Sequence, residues 1–430
     1  MELDLKPGVT QLVVLDPGLR DQGGHHPAFI LALLGTELFR ANDTRLQVFA
    51  NTGFAPGAVF DIGANNVEYN PFFESDFYRY FYEGTQHPEL PHFIRCLTKE
   101  YLAAMSQVIE ADCQPGAVKG SASVFFCHAL GWEHAKALAD ALFLFKKQTG
   151  ITLRIVVILM FSPYRKAVNE QYDSQIYLRY RVAFKGLAAR DGVSFFACDH
   201  ETSKAYGDIL ARQIDVMPCP FVGGSKKIIS RANSRFNKVK QIVLYIGDSK
   251  ATKGFLSLPN LLEEIVKPEQ TGGLSYLIQY TLTNKSDEFL AVDKKLKTLA
   301  ELHANVSVID TFWSDDQLYT TLAAADALVF NYDSSVYMYQ SSGVLWLAAY
   351  FNLNMFFLSN NWLTREAARL QSEYTLCEAK KLGECLNKLG QKEIDNKAYY
   401  AKIRPLPDAD YRAKLFGDFG QWLSAILGHN

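Results

Sequence analysis

The sequence predicts an α/β protein built from two consecutive, doubly wound parallel-sheet domains. Three observations carry this. At 430 residues the chain is too long for one ordinary core. Short β-branched apolar runs alternate with helix-length amphipathic segments, the pattern of a parallel sheet with crossover helices. The alternation breaks once, at the basic, apolar-poor stretch GGSKKIISRANSRFNKVK, and then begins again. The division that follows is 1–222 for an N-terminal domain, 223–238 for a basic linker and 239–400 for a second domain. Residues 401–430 form a C-terminal helical segment with the option of crossing back to the first domain.

The elements follow in order. TQLVVLD reads as a buried strand ending in the turn Asp16-Pro17-Gly18, HPAFILALLGTELFRAND has helical periodicity, and RLQVFAN is the next strand. ASVFFCHAL, TLRIVVILMF and VSFFACD are strands. GWEHAKALADALFLFKKQTG is a helix stopping at Gly150, and YLRYRVAFKGLAARDG and ETSKAYGDILARQ are helices. IDVMPCPF closes the first half. Beyond the linker, QIVLYIGD, LSYLIQYT, VSVIDTF, ALVFNYD and NMFFLSN are strands. FLSLPNLLEEIVK, DEFLAVDKKLKTLAELHA, SDDQLYTTLAAAD and GVLWLAAYFN are the helices between them.

Hydrophobic content of 48% against 21% charged residues describes a globular chain. A net charge of −2 gives no reason to expect nucleic acid as a partner. The seven cysteines show no paired metal spacing and read as reduced thiols of a cytosolic protein. The first residues lack the charged n-region of a signal peptide, and the longest apolar runs, IVVILMF and ALFLF, are far short of a membrane span. The expected location is the cytoplasm, with peripheral contact at the inner face of the membrane left open.

Doubly wound domains bind ligands beyond the carboxyl ends of their strands, so the loops there matter most, and two such domains facing a cleft would share it. After the first strand, Gly23 and Gly24 allow close backbone approach to a ligand, and His25 and His26 sit at the next helix start. A flexible turn with a capping residue explains them equally. His128 ends SVFFCH and reads either as a base or hydroxyl partner, or as a satisfied half-buried histidine. His134 reads as a surface residue. In YIGDSKATKGFLSLP, Gly247 permits a tight turn, while Lys250 and Lys253 place two cations beside a helix start that already favours anions. Ser341, Ser342 and Gly343 precede an apolar helical run and read as an anion site or as a plain N-cap. The aromatic tract from Phe72 to Tyr82 reads as an acceptor platform, an interfacial patch, or the packing of an inserted helix pair. No Walker loop and no GxGxxG follows a strand, which disfavours P-loop and nicotinamide enzymes.

Four stretches together resemble the GT-B nucleotide-sugar glycosyltransferases, near the bacterial branch of the large retaining family four. They are LDPGLRDQGGHH, FFACDHETSKAYGDI with VMPCPF, GDSKATKGFLSLP, and SDDQLYTTLAAADALVFNYDSSVYMYQSSGV. The resemblance implies two Rossmann-like domains facing a cleft. It implies that Lys253, with Lys250 at the usual arginine position, neutralises a donor diphosphate whose oxygens are held by Ser341, Ser342 and Gly343, beside Gly247. Gly23, Gly24 and His25 would contact donor or acceptor, and His128 the sugar or acceptor, with His128 and Lys253 in catalytic roles. No metal or other cofactor is implied. The donor is a nucleotide sugar, the acceptor a glycan, lipid-linked or protein substrate, and the setting surface polysaccharide or glycoconjugate assembly by a retaining transfer.

The chain departs from that family after Ser-Ser-Gly-Val. Leu347 stands where a ribose-binding glutamate is usual, Asn352 for a glycine and Asn354 for a proline. Leucine cannot accept a ribose hydroxyl, and a buried hydroxyl left unpaired costs about 1–3 kcal/mol. The alternative reading is therefore a catalytically inactive GT-B protein serving as a binding or scaffold subunit. A sugar epimerase on the same fold is a third, and would need carboxylates that the motifs do not place.

Overall fold

The computed structural model describes residues 10–20, 24–40, 44–56, 66–80, 87–112, 123–164, 174–225, 241–266, 273–390 and 409–428. Gly23 and residues 226–238 of the expected linker lie outside them, as do 401–408 of the expected C-terminal segment. The chain forms two compact units, one of residues 1–223 with 414–430 and one of 224–413.

In the first unit the strands are β1 (Thr10–Asp16), β2 (Thr44–Asn51), β3 (Val67–Phe73), β4 (Ser123–Cys127), β5 (Arg154–Leu159), β6 (Val193–Ala197) and β7 (Asp215–Val216). All pair in parallel, in the order β3-β2-β1-β4-β5-β6-β7. The order reverses between β1 and β4, which makes the carboxyl ends of those two strands the switch point of a doubly wound sheet. Helices α1 (His25–Leu34), α2 (Glu37–Arg40), α3 (Leu90–Asp112), α4 (Trp132–Thr149), α5 (Ser174–Ala188) and α6 (His200–Leu210) follow in chain order.

Alternation along the strands sends side chains to two separate cores. Val13, Leu15, Phe125, Cys127, Ile155 and Val157 pack with α3 to α6. Leu12, Val14, Val124, Phe126, Val156 and Ile158 pack with α1. Both sets are buried, as a parallel sheet covered on two faces requires. α4 stops where the sequence suggests, with Gly150 left-handed at φ 74 and its N–H bonded to the Lys146 carbonyl. α6 is capped by Asp199, whose carboxylate accepts from the Thr202 amide, rather than by the Glu and Thr that follow.

The second unit repeats the plan. Its strands are β8 (Gln241–Asp248), β9 (Leu274–Thr281), β10 (Val306–Ile309), β11 (Ala327–Phe330), β12 (Asn354–Phe357) and β13 (Tyr374–Leu376). All pair in parallel, in the order β10-β9-β8-β11-β12-β13, with the switch point between β8 and β11. Its helices are α7 (Leu258–Ile265), α8 (Asp287–Leu302), α9 (Asp315–Ala324), α10 (Gly343–Tyr350), α11 (Trp362–Arg369) and α12 (Leu382–Gly390). α13 (Ala409–Leu415) and α14 (Phe419–Leu427) close the chain, and Phe419, Leu423 and Leu427 of α14 complete the α1-side core of the first unit. Among the described residues no helix is long and apolar enough to cross a membrane.

Two expectations fail. Over its described residues, Phe72 to Tyr80, the aromatic tract is not a helix pair; Phe81 and Tyr82 lie outside them. It begins as the end of β3, an edge strand where Pro71 costs no ladder hydrogen bond on its open side, and it continues as a turn burying Phe77 and Tyr80. His134 is not on the surface. It is fully buried on α4 and stacks on Phe77 with ring centroids 4.0 Å apart.

Burial pushes His134 down to about 3, against about 6.5 when unfolded. The unfolded chain therefore takes up a proton below about pH 6.5 that the folded chain refuses until near its own value. The stability from a neutral His134 is fully present above the unfolded value and is lost as pH falls through this window. His134→Phe should make the loss of unfolding free energy between about pH 7 and about pH 5 shallower by up to about 1.4 kcal/mol per pH unit. Urea unfolding at several pH values reads this directly; parallel slopes for variant and parent would refute it.

Candidate functional site

Each switch point carries a polar cluster at the end of otherwise apolar strands. In the first unit, Asp16 ends β1, and the β1–β4 register, extended two residues past Val14 and Phe126, sets it opposite His128. Both are buried, with Asp16 at 2% exposure and His128 at 1%. Asp16 accepts from the His26 Nδ1–H at 2.8 and 3.0 Å and from the Gly18 amide at 3.0 Å. On its other edge, His26 Nε2 lies 2.9 Å from the Tyr78 hydroxyl, which donates to it. The turn holding Tyr78 is itself fixed, since Asp76 accepts from the Tyr78 amide at 2.9 Å and pairs with Arg20 at 2.6 Å.

His128 lies flat on Phe29, centroids 4.6 Å apart and planes 7° from parallel. Asp16 Oδ2 is 3.4 Å from its Nδ1, yet neither ring nitrogen makes a hydrogen bond. His25 is half-buried at the start of α1, 4.2 Å from His26 and 5.8 Å from His128 between ring centroids. Gly24 precedes it as an exposed N-cap with φ 91. Burial drives His26 and His128 down to about 3, so both imidazoles are neutral at pH 7. Burial also raises Asp16, against the pull of His128 and of the Gly18 and Leu19 amides. His128 is thus neither half-buried nor satisfied.

In the second unit, β8 ends in Gly247-Asp248, and the loop turns through two short 3-10 segments, Ala251–Lys253 and Phe255–Ser257, into α7. Gly247 has φ +150, and a Cβ there would sit 3.2 Å from Lys253 Nζ, so glycine both permits the turn and leaves room for the lysine. Lys250 Nζ is 3.1 Å and Lys253 Nζ 3.6 Å from Asp248 Oδ2. Lys253 is the enclosed one, its side chain 16% exposed against 56% for Lys250. Burial works to raise Asp248, but the Lys253 and Lys250 ammonium groups hold it below the usual carboxylate range. Two cations against one carboxylate leave the cluster with net positive charge.

The loop after β11 is tied to this one. Asp333 N–H donates to the Thr252 carbonyl at 2.9 Å, and Asn331 Nδ2 donates to the Gly254 carbonyl at 3.0 Å. It leads to Ser341, Ser342 and Gly343 at the start of α10. Ser342, 9% exposed, is the N-cap but makes no side-chain capping bond, so its hydroxyl is not spent on the helix. Leu347 is buried on α10 at 6% exposure. Asn352 holds a left-handed φ of 53, the conformation for which a glycine is usual, and asparagine is among the residues that tolerate it. Its Oδ1 accepts from Arg412 at 3.0 Å.

The structure therefore gathers His25 and His128 in one unit, and Gly247, Lys250 and Lys253 in the other, with Ser341 to Gly343 at the head of the following helix. The sequence motifs missed Asp16, taken only as part of a turn, and Tyr78. A carboxylate closing an apolar strand at its carboxyl end was the available signal for Asp16, the same one that singles out His128.

Comparison with known proteins places the fold. No family model matches the chain, and no curated protein matches it in sequence. Solved structures do match over nearly the whole length. An α,α-trehalose-phosphate synthase (UDP-forming) from Burkholderia xenovorans, in complex with glucose-6-phosphate, has a TM-score of 0.58 at 11% identity, over 97% of this chain and 99% of its own. The trehalose-6-phosphate phosphatase N-terminal domain of Candida albicans gives 0.56 at 11%, over 100% and 99%. The UDP-GlcNAc 2-epimerase of Neisseria meningitidis, bound to UDP-GlcNAc, gives 0.54 at 12%, over 98% and 100%. The fold is GT-B, two doubly wound parallel-sheet domains in succession.

Gly18→Ala tests how firmly the first cluster is held. A Cβ there would fall 2.1 Å from His26 Cε1, and the ring is bonded on both edges. The variant should lose about 1–3 kcal/mol of stability by denaturant unfolding. Unaltered stability would mean that the imidazole is not seated as described.

Proposed function

We propose that the chain is a glycosyltransferase that takes a sugar from a nucleotide-sugar donor, its diphosphate seated on the β8–α7 loop and the start of α10. The carrying observation is Lys253. It is an enclosed cation at the switch point of the second sheet, made possible by Gly247 and balanced only in part by Asp248. The UDP-forming and UDP-GlcNAc-bound proteins that share the fold support a nucleoside diphosphate as the ligand class.

In this reading the chemistry is electrostatic. As the glycosidic bond to the diphosphate breaks, negative charge builds on the leaving phosphate. Lys253, Lys250 and the first-turn amides of α10, oriented before the reaction, stabilise that charge at little reorganisation cost. Ser341 and Ser342 supply hydroxyl donors. Asp248 holds the lysines in place while the site is empty, and the phosphate then competes for them. Retention of configuration, no requirement for a divalent ion at the donor, and a glycan, lipid-linked or protein acceptor belong to the same proposal. So do a role in surface glycan assembly, cytoplasmic location and peripheral membrane contact.

A second reading, a binding subunit without catalysis, draws on Leu347. Leu347 is apolar and buried, at the position where the resemblance would set an acceptor for the donor ribose.

Calorimetry and thermal shift against UDP, GDP, ADP, CMP and dTDP separate the two. Binding of one nucleotide should raise the apparent stability. Lys253→Ala should weaken that binding by about 1.5–3 kcal/mol, roughly 10- to 150-fold. Unchanged affinity would remove Lys253 from the site. Release of nucleoside diphosphate from the matching nucleotide sugar, with transfer to acceptor, favours the transferase; binding without turnover favours the second reading. Leu347→Glu should tighten nucleoside binding if the ribose lies over α10, and a purely destabilising effect would place it elsewhere.

A further inference from the structure

Three imidazoles meet at the switch point of the first sheet, and the charge stabilisation proposed for the diphosphate uses none of them. One ring nitrogen from each of His25, His26 and His128 lies within 4.8 Å of one from both others. A tetrahedral ion with Zn–N bonds of about 2.0–2.1 Å needs ligand nitrogens about 3.4 Å apart, so modest ring rotations close the set. We propose that these three histidines form a binding site for a divalent transition-metal ion of the zinc class.

Three further features support this. Asp16 sits behind the cluster, accepting from His26 Nδ1–H and lying 3.4 Å from His128 Nδ1. A carboxylate that orients an imidazole from its far edge is the usual support of a metal-bound histidine, fixing its tautomer and raising its basicity. With Nδ1 of His26 donating, its lone pair is on Nε2, where the Tyr78 hydroxyl now donates and a metal would take over. Next, the buried His128 has neither nitrogen hydrogen-bonded, a condition costing about 1–3 kcal/mol that a metal bond would relieve. Finally, the ligand set is all nitrogen and neutral, which suits zinc and its neighbours over magnesium or calcium. Three protein ligands leave one position open, the pattern of zinc sites that take a water or a substrate oxygen. The site is built from the first unit alone, so it stands or fails independently of the diphosphate cluster.

The test uses the full-length protein, stripped with a chelator and titrated with Zn²⁺ by calorimetry and with Co²⁺ by visible absorption. One equivalent should bind, with cobalt giving the intense d–d bands of a tetrahedral nitrogen site. His25→Ala removes a half-buried ligand at little risk to folding and should weaken binding at least tenfold. His128→Gln should do the same, and Asp16→Asn should weaken it by about 10- to 100-fold while leaving all three ligands. The control is His92→Ala, because His92 and Cys96, 3.4 Å apart on α3, are a ready adventitious pair. No binding, binding indifferent to His25→Ala, or binding lost with His92 instead would each overturn the proposal.

Discussion

Every strand flanking the two switch points is covered on both faces, and this governs where chemistry can sit. A side chain pointing up or down from β1, β4, β8 or β11 enters a core, where an ion would be taken out of water at a cost of several kcal/mol. Polar groups can be afforded only where the strands stop. Asp16, His128, Asp248 and Asn331 all stand at such ends, and all four lie where the strand order reverses. Neighbouring crossovers diverge there, leaving loops on either side and no helix overhead. Two clusters of opposite character result, a buried set of imidazoles around a carboxylate and a half-open pair of lysines around another.

Much of this was legible in the residues because parallel strands announce themselves. Runs such as VSFFA and QIVLYIGD have one structural use, and the turns after them expose the candidate loops directly. Other parts were hidden for definable reasons. β3 carries Pro71 and has Tyr69 between Glu68 and Asn70, a composition tolerable only at an edge, and the edge is a tertiary fact. His134 carries no sequence signal of burial, and the position of Asp16 at a strand end does not reveal its partner. Their burial is decided by Phe77 and His26, which arrive from 57 and 10 residues away, measured along the numbering. The lysine pair could be read because its partners are local. The histidine cluster could not, because α1 and β4 are about a hundred residues apart.

The segment from α10 to α11 shows how polar groups near a switch point are used by the fold itself. Leu347 is part of the core, and Asn352 holds a left-handed turn with its side chain bonded by Arg412. Glu366 on α11, fully buried, accepts from Trp346 Nε1 at 3.1 Å, from the Tyr411 hydroxyl and from Arg369 at 2.8 Å. Those bonds are internal and structural. The geometry of these two helices is therefore held by contacts within the protein.

The placement of α14 bears on how the molecule is made. Phe419, Leu423 and Leu427 lie in the same core as Leu12, Val14 and Phe29, so that core cannot close until α14 has left the ribosome. About 190 residues of the second unit are synthesised in between. At roughly 5–20 residues per second this is a delay of ~10–40 s. Throughout it, an apolar face of the first sheet waits without its final cover, while every strand described in the second unit is already made and that unit can fold ahead. The first unit is thus completed only after the second has been made.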